Sequence, residues 1–322
     1  MIKNKNTQRV FNMSDYVILT DSSNDMTADL RERFGVEEYF PGYIIYPDGH
    51  QELAVLDWDD MSPSDFYGGM NKKNLYKTAV RGIGEQEEFF DRYLAKGLDI
   101  LNITLSSSLS GTNSVCAAAV KNLQKKYPER KIYNIDTLRY SGATGLLVSY
   151  AGEMKQNGAL IEEVADWIEK NKNRVHQIGT VDDLFFLRNM GRVSNISAFM
   201  GSMISIKPIA DFNEKGMNQI IGKVKGYKKF YQASLEYMKR TIEEPENSRI
   251  WVSCTNRKVQ ADQFKEMISE IIKPKEIIQT ITNRANGAAI GPGMVVAFYL
   301  GKPVTEGLKE EEKLLNEIIN SL

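Results

Sequence analysis

A run of hydroxyl side chains stands where a predicted strand, residues 98–103, is followed by a predicted helix, residues 113–125. The free N–H groups and the positive dipole end at a helix N-terminus favour a carboxylate or a phosphate. We therefore expect five residues of this turn to contact an anionic ligand: Ser106, Ser107, Ser110, Gly111 and Thr112. A serine cap with a flexible turn is the simpler interpretation of the turn taken alone.

Two further predicted strands end in short polar segments. Residues 16–20 run into Asp21 and Ser22, and residues 131–136 run into Thr137 and Ser141. Loops at the carboxyl ends of parallel strands share one edge of the sheet, where such folds bind ligands. We therefore expect Asp21 and Ser22 to join the hydroxyl turn at the ligand.

Composition excludes several classes of function. The 322 residues carry a formal net charge of −1, with 42% hydrophobic and 26% charged residues, so there is no basic excess for nucleic acid. Without an apolar run of about 20 residues or a signal-peptide pattern, we expect a cytoplasmic protein. The two cysteines stand in apolar segments and cannot form a structural zinc site, so we expect no metal and no cofactor.

Candidate catalytic residues are few. His50 and His176 have no acid at a catalytic spacing, and no Gly-x-Ser-x-Gly motif occurs, so a serine nucleophile would lack a base. Asp21 remains as an acid, base or nucleophile in an enzyme acting on a small phosphorylated or carboxylated metabolite. A phosphotransferase of the aspartyl type would want a second aspartate two residues later, where Ser23 stands.

The predicted secondary structure differs between the two halves of the chain. Strands and helices alternate up to about residue 172, which is the α/β pattern, and strands dominate afterwards. Residues 213–216 predict a hairpin turn and therefore an antiparallel sheet in the second half. The helices predicted in the first half are 61–70, 86–95, 113–125, 143–156 and 160–172. The strands predicted in the second half are 176–181, 206–212, 219–224, 249–254, 276–282 and 294–300.

Several ordered motifs together resemble the DegV family of bacterial fatty-acid-binding proteins, which includes the binding subunits of fatty acid kinases. They are Thr20-Asp21-Ser22-Ser23, residues 106–112, Asp136-Thr137 with Ser141-Gly142, residues 187–193, residues 201–208, and Gly291-Pro292-Gly293. The resemblance implies a Rossmann-like α/β domain at residues 14–172 and an α+β domain with an antiparallel sheet at residues 173–322. It further implies that a long-chain fatty acid lies in a cleft between them.

The resemblance also implies a set of head-group residues. Thr78 and Ser110 match the family pattern, and Gly291 belongs to the Gly-Pro-Gly turn. Ala79 stands where the family usually has serine, and Ala289 where it usually has histidine, so two donors to the carboxylate are missing. Candidate replacements near the Gly-Pro-Gly turn are Asn283, Arg284 and Asn286.

The acyl chain is expected to lie against the densest apolar stretch of the second half, although core packing explains most of these residues equally well. The candidates are Phe185, Phe186, Leu187, Phe199, Met200, Met203, Ile204 and Ile206.

Basic residues predict a surface for a protein partner, with a solvated face as the simpler interpretation. They are Arg188, Arg192, Lys223, Lys225, Lys228 and Lys229. The resemblance implies that Arg192 and Lys225 face a kinase catalytic subunit that phosphorylates the bound carboxylate, so this chain would present the substrate without catalysing the step. A lipid-sensing protein with no kinase, and contact with a membrane surface, remain open.

Overall fold

The computed structural model describes residues 15–196 and 205–322. Within those ranges the helices are α1 Ala28–Arg33, α2 Pro63–Gly68, α3 Ile83–Leu94, α4 Thr112–Lys126, α5 Gly142–Gln156, α6 Ile161–Asn171, α7 Phe185–Met190, α8 Gly226–Thr241, α9 Lys258–Ile271, α10 Arg284–Ile290 and α11 Lys309–Asn320. The strands are β1 Tyr16–Asp21, β2 Val36–Phe40, β3 Tyr43–Ile45, β4 Gln51–Leu53, β5 Lys77–Ala79, β6 Asp99–Thr104, β7 Ile132–Asp136, β8 Val175–Thr180, β9 Val193–Ser194, β10 Ile206–Phe212, β11 Asn218–Lys225, β12 Arg249–Cys254, β13 Glu276–Ile281 and β14 Val295–Leu300. No helix in these ranges is both long and apolar enough to cross a membrane.

The first sheet is parallel throughout, in the order β2-β1-β6-β7. Its central strands, β1 and β6, are buried on both faces. Val17 and Leu19 of β1 pack among residues of α3 and α4, whereas Ile18 packs among residues of α5 and α6. Strands covered on both sides are characteristic of a parallel α/β sheet. The α/β expectation for the first half is confirmed, and the polar ends of β1, β6 and β7 do meet at one edge.

The second sheet has the order β13-β12-β14-β8-β10-β11-β9. The predicted hairpin joins β10 to β11, and Gly216 occupies a positive φ of 82° in its turn. The sheet is mixed rather than purely antiparallel, because β12 pairs parallel with β13 and β11 pairs parallel with β9. Helices α8, α9 and α11 cover one face, so the second half is the expected α+β arrangement.

Helix α5 lies between the two sheets. A Cβ on its Gly145 would come within 2.4 Å of the Asn24 carbonyl oxygen and 2.9 Å of the Trp251 ring. The same apolar cluster holds β1 residues on one side of α5 and Trp251 and Phe298 on the other. The two sheets therefore share one core across this helix, and the domain boundary at residues 172–173 stays a prediction.

A small antiparallel sheet, β4-β3-β5, is a feature that the sequence did not reveal. Each of its strands has three residues, which is too short for an alternating pattern to be recognised. The pairing of Ile44 with Thr78 and of Tyr43 with Ala79 holds the segment that carries Thr78 in this sheet.

Candidate functional site

A cavity of about 180 Å³ lies between the carboxyl edge of the first sheet, the small sheet and the residues that follow α7. The volume is several times the ~30 Å³ that one water molecule occupies, so the cavity admits a larger ligand. The structure brings together at this cavity the predicted residues Asp21, Ser22, Thr78, Ser110, Gly111, Thr112 and Ala289. The cavity therefore coincides with the anion cradle expected from the strand ends.

The carboxylate of Asp21 is engaged by its own neighbours. The Ser23 amide donates to Oδ1 at 2.8 Å, the Ser23 hydroxyl donates to the same oxygen, and the Leu105 amide donates to Oδ2 at 2.8 Å. Burial raises the pKa of Asp21, and these hydrogen bonds oppose the rise. Asp21 thus ties the loop after β1 to the end of β6.

Ser22 stands next to Asp21 on the cavity wall. Its hydroxyl oxygen accepts a hydrogen bond from the Gly42 amide at 3.2 Å. This contact joins the loop after β1 to the segment between β2 and β3. It leaves the hydroxyl proton available to an acceptor in the cavity.

The hydroxyl turn divides into two halves. Ser106 is buried, and its hydroxyl donates to the Gly216 carbonyl at 2.9 Å, while the exposed Ser107 lies outside the cavity wall. Ser110 and Thr112 line the cavity, with their hydroxyl oxygens 3.0 Å apart. The first half therefore anchors the turn against the β10–β11 hairpin, and only the second half faces a ligand.

The cavity wall opposite the turn comes from β5 and α10. Thr78 is exposed, and its hydroxyl has no hydrogen-bond partner within residues 15–196 and 205–322. Ala79 and Ala289 line the cavity as well and bring no donor. Thr78 is thus the free hydroxyl on this wall.

The three candidate replacements occupy different places. Asn286 lines the cavity while its amide donates to the Ser23 carbonyl at 3.1 Å. Asn283 caps α10 and donates to a buried carboxylate behind the wall, Asp25. Arg284 is buried and bound to Asp60. Of the three, Asn286 alone reaches the cavity.

An apolar slot of about 30 Å³ adjoins the cavity on the side of the second sheet. The two hollows share Tyr140, Leu187 and Asn218 in their walls. Besides these three, the slot is lined by Gln177, Gly179, Thr180, Val181, Leu184, Val193, Pro208, Ala210, Ile220, Met294 and Val296. Sequence analysis missed this slot because its lining comes singly from several strands, each of which has the pattern of ordinary core.

Most of the predicted acyl-chain residues do not line that slot. Leu187 lines it, but Phe185, Phe186 and Ile206 do not. Phe186 packs against the turn after α10, where a Cβ on Gly291 would come within 2.3 Å of its ring. Gly291 itself has a φ of 76° and supports that turn. The remaining candidates, Phe199, Met200, Met203 and Ile204, lie outside the described residues.

The two predicted partner-binding residues are far apart. Arg192 lines the cavity, and its carbonyl accepts from the Asn218 amide group at 2.8 Å, at the start of β11. Lys225 is exposed at the other end of the same strand, about 23 Å away at the usual rise of a strand. Arg192 therefore belongs to the cavity mouth and Lys225 to a different part of the surface.

His176 is a buried structural residue rather than a member of the cavity. Its Nδ1 lies 2.6 Å from Asp211 Oδ2, and its Nε2 lies 2.7 Å from the Lys302 carbonyl oxygen. Burial lowers the pKa of His176, but the charge of Asp211 and the hydrogen bonds outweigh that effect and raise it. In the part of the chain that the structure describes, no group of three or more acidic, histidine or cysteine side chains could hold a metal ion.

Comparison with known proteins identifies one family. The sequence profile described as "Uncharacterised protein, DegV family" matches residues 15–302. A DegV domain-containing protein of Clostridium perfringens is 31% identical over 90% of this chain and 98% of its own length. A fatty acid-binding protein of Thermotoga maritima is 29% identical over 86% of this chain and 95% of its own length. The crystal structure of DegV, a fatty acid binding protein from Bacillus subtilis, has a TM-score of 0.75 at 25% identity and covers 90% of this chain and all of that one. The chain belongs to the DegV family.

Proposed function

We propose that this protein binds one long-chain fatty acid, with the carboxylate in the cavity and the acyl chain in the apolar slot. The observation that carries the proposal is that the two hollows adjoin each other and share Tyr140, Leu187 and Asn218 in their walls. A cavity with hydroxyl groups at a helix N-terminus, followed by a slot with apolar walls, matches the two ends of a fatty acid. Relatives described as fatty-acid-binding proteins support the assignment.

The two ends contribute differently to affinity. Burial of each methylene contributes about 0.8 kcal/mol, so a long chain supplies most of the gross binding energy. A hydrogen bond to a charged acceptor adds about 1.5–3 kcal/mol. The absence of donors at Ala79 and Ala289 therefore weakens recognition of the head group more than it weakens binding of the lipid.

The protein further presents the bound carboxylate to a partner kinase, which forms an acyl phosphate from ATP. Arg192 supports this step, because a guanidinium at the cavity mouth can stabilise negative charge on the transferred phosphate. The three hydrogen bonds that occupy Asp21 favour a binding role over one in which this carboxylate reacts. A cytoplasmic location is part of the proposal, since the partner consumes ATP.

Native mass spectrometry of the purified protein, followed by solvent extraction, tests the binding step. We expect one fatty acid per chain, or uptake of one added hexadecanoic acid. A protein that is empty and takes up none contradicts the proposal.

A change in the slot locates the acyl chain. Ala210→Leu adds bulk to the slot wall, and we expect it to weaken binding of hexadecanoate much more than binding of octanoate. The matched control is Ala117→Leu at an exposed position of α4, which adds the same bulk outside both hollows. Equal losses for both acids in Ala210→Leu would show that the chain lies elsewhere.

The presentation step is tested by trapping acyl phosphate with hydroxylamine. We expect product only when the loaded protein, ATP and a fatty acid kinase catalytic subunit are combined, and less product with Arg192→Ala. Product from the loaded protein and ATP alone would favour the alternative, in which this protein is itself an enzyme with Asp21 as a catalytic residue.

A further inference from the structure

Gln86 is a polar residue at a position of α3 where an apolar one is expected. It is 1% exposed and shares the buried face of the helix with Phe89, Phe90 and Tyr93. Residues at this spacing lie on one side of a helix and normally pack into the core. A buried amide at this position therefore needs an explanation.

The Gln86 amide nitrogen is buried and has no hydrogen-bond partner among residues 15–196 and 205–322. The neighbouring Glu85 differs, because its carboxylate accepts from the Gly82 amide at 2.9 Å and from Arg81 Nε at 2.8 Å. A buried donor without an acceptor is costly. Eight buried side-chain atoms in these ranges lack a partner, and among them only the Gln86 nitrogen belongs to a residue of the cavity wall. The first turn of α3 thus holds a hydrogen-bonded carboxylate, that of Glu85, next to an amide nitrogen without a partner, that of Gln86.

The same residue lines the ligand cavity. Gln86 contributes to the wall that also includes Thr78, Ser110 and Ala79. Arg81 lies on this wall too, but its guanidinium is bound to Glu85 and stands 4.3 Å from the Phe40 ring centre. The wall therefore includes the Gln86 amide, whose two N–H donors have no partner, and Ala79, which supplies no donor.

We propose that the Gln86 amide donates a hydrogen bond to the ligand carboxylate and makes the cavity selective for a fatty acid over a neutral lipid of the same length. The inference rests on the proposed function and adds the residue that fixes the head group. Hydrogen bonds to an ionised acceptor are about twice as strong as those between neutral groups. Losing the donor therefore penalises an acid more than an alcohol.

The variant Gln86→Met keeps an unbranched side chain of similar length and removes the donor. We expect the affinity for hexadecanoate to fall about ten- to hundredfold and the affinity for hexadecan-1-ol to change less than about threefold. The melting temperature of the ligand-free protein is expected to stay equal or to rise, because an unpaired buried donor is removed. The control Gln263→Met, on α9 outside both hollows, should leave both affinities unchanged.

A second variant keeps the inference falsifiable if the first disturbs packing. Gln86→Glu has nearly the same shape but replaces the donor with an acceptor, so we expect a larger loss for hexadecanoate than in Gln86→Met. An unchanged hexadecanoate affinity in Gln86→Met, or equal losses for acid and alcohol, overturns the inference. If the unmodified protein binds no hexadecanoate at all, the proposed function fails instead, and the two failures are thus distinguished.

Discussion

Two groups of buried polar residues in this fold differ in how fully they are hydrogen-bonded. At the Asp25 junction, which consists of Asp25, Ser141, Ser253 and Asn283, one carboxylate accepts four hydrogen bonds. At the cavity wall, the Gln86 amide nitrogen has no partner within the described ranges. The Asp25 carboxylate is fully hydrogen-bonded and holds the fold, whereas the unpartnered Gln86 nitrogen belongs to a residue of the cavity wall.

The Asp25 junction adds hydrogen bonds between the two halves of the chain, which also share one apolar core. Its donors come from the start of α5, from β12 and from the start of α10, and all four residues are buried. Burial raises the pKa of Asp25, and its four hydrogen bonds oppose the rise. The junction lies directly behind the cavity wall, so it fixes the wall without contacting a ligand.

The largest effect is expected at this junction. Asp25→Ala leaves the buried donors of Ser141 and Asn283 without this acceptor, while the Ser253 hydroxyl keeps Thr280 Oγ1 at 3.1 Å. We therefore expect the free energy of unfolding to fall by about 3–5 kcal/mol. Asp25→Asn should cost much less, because the two serine hydroxyls can rotate to accept from the new amide. Chemical denaturation of the three proteins measures the difference. Equal losses in both variants would show that the charge, not the hydrogen bonds, holds the junction.

Substitutions in the cavity wall should lower the affinity for the ligand rather than the stability of the protein. Thr78→Val removes a hydroxyl with no partner in the part of the chain described here, so we expect stability to change little and hexadecanoate affinity to fall about tenfold or more. Calorimetric titration measures the affinity. The control Thr305→Val breaks a hydrogen bond to Glu311 away from the cavity and should lower stability alone. A Thr78→Val protein that loses stability but binds hexadecanoate as before would show that Thr78 stabilises the fold instead of binding the ligand.

His176, whose two ring nitrogens are both hydrogen-bonded, should make stability depend on pH. The raised pKa of His176 means that its contribution to stability is complete below the unfolded value of about 6.5 and is lost as the pH rises through the folded value. In that window we expect the free energy of unfolding to fall by up to about 1.4 kcal/mol per pH unit. Urea denaturation of the protein and of His176→Gln between neutral and alkaline pH tests this. The same pH dependence in both would contradict a charged His176.

The smallest effects separate the two halves of the hydroxyl turn. Ser106→Ala removes the donor to Gly216 and should cost about 1 kcal/mol of stability. Ser107→Ala, at an exposed position, should change stability by less than about 0.5 kcal/mol. Neither change should alter hexadecanoate affinity, whereas Ser110→Ala should lower it. A loss of affinity in Ser106→Ala as large as in Ser110→Ala would show that the whole turn binds the ligand.

The sequence predicted most of the elements that carry the site, because long apolar strands leave a clear pattern. The strands predicted at residues 206–212 and 249–254 have those same bounds in the structure, and the polar ends of β1 and β6 meet as expected. The small sheet that carries Thr78 left no such pattern, since its strands are three residues long. Thr78 was therefore identified only through the family resemblance.

The rest of the site depends on contacts between distant parts of the chain. Ala210 and Val296 have the pattern of ordinary core residues, and only the packing of their strands reveals a slot between them. Gln86 was taken as the first residue of a predicted helix at residues 86–95, and nothing in its neighbours indicates that it is buried without a partner. Asp25 lies in a polar loop whose donors are more than a hundred residues away. Such pairings are set by tertiary structure rather than by local sequence.

The most direct test of the account is a crystal structure of the protein with hexadecanoic acid that carries bromine on its terminal carbon. Anomalous scattering locates the bromine independently of the rest of the ligand. The account predicts the bromine in the apolar slot, near Ala210 and Ile220, with the carboxylate beside Thr78 and Gln86. Bromine at the cavity mouth near Arg192, or a ligand bound outside both hollows, would contradict it.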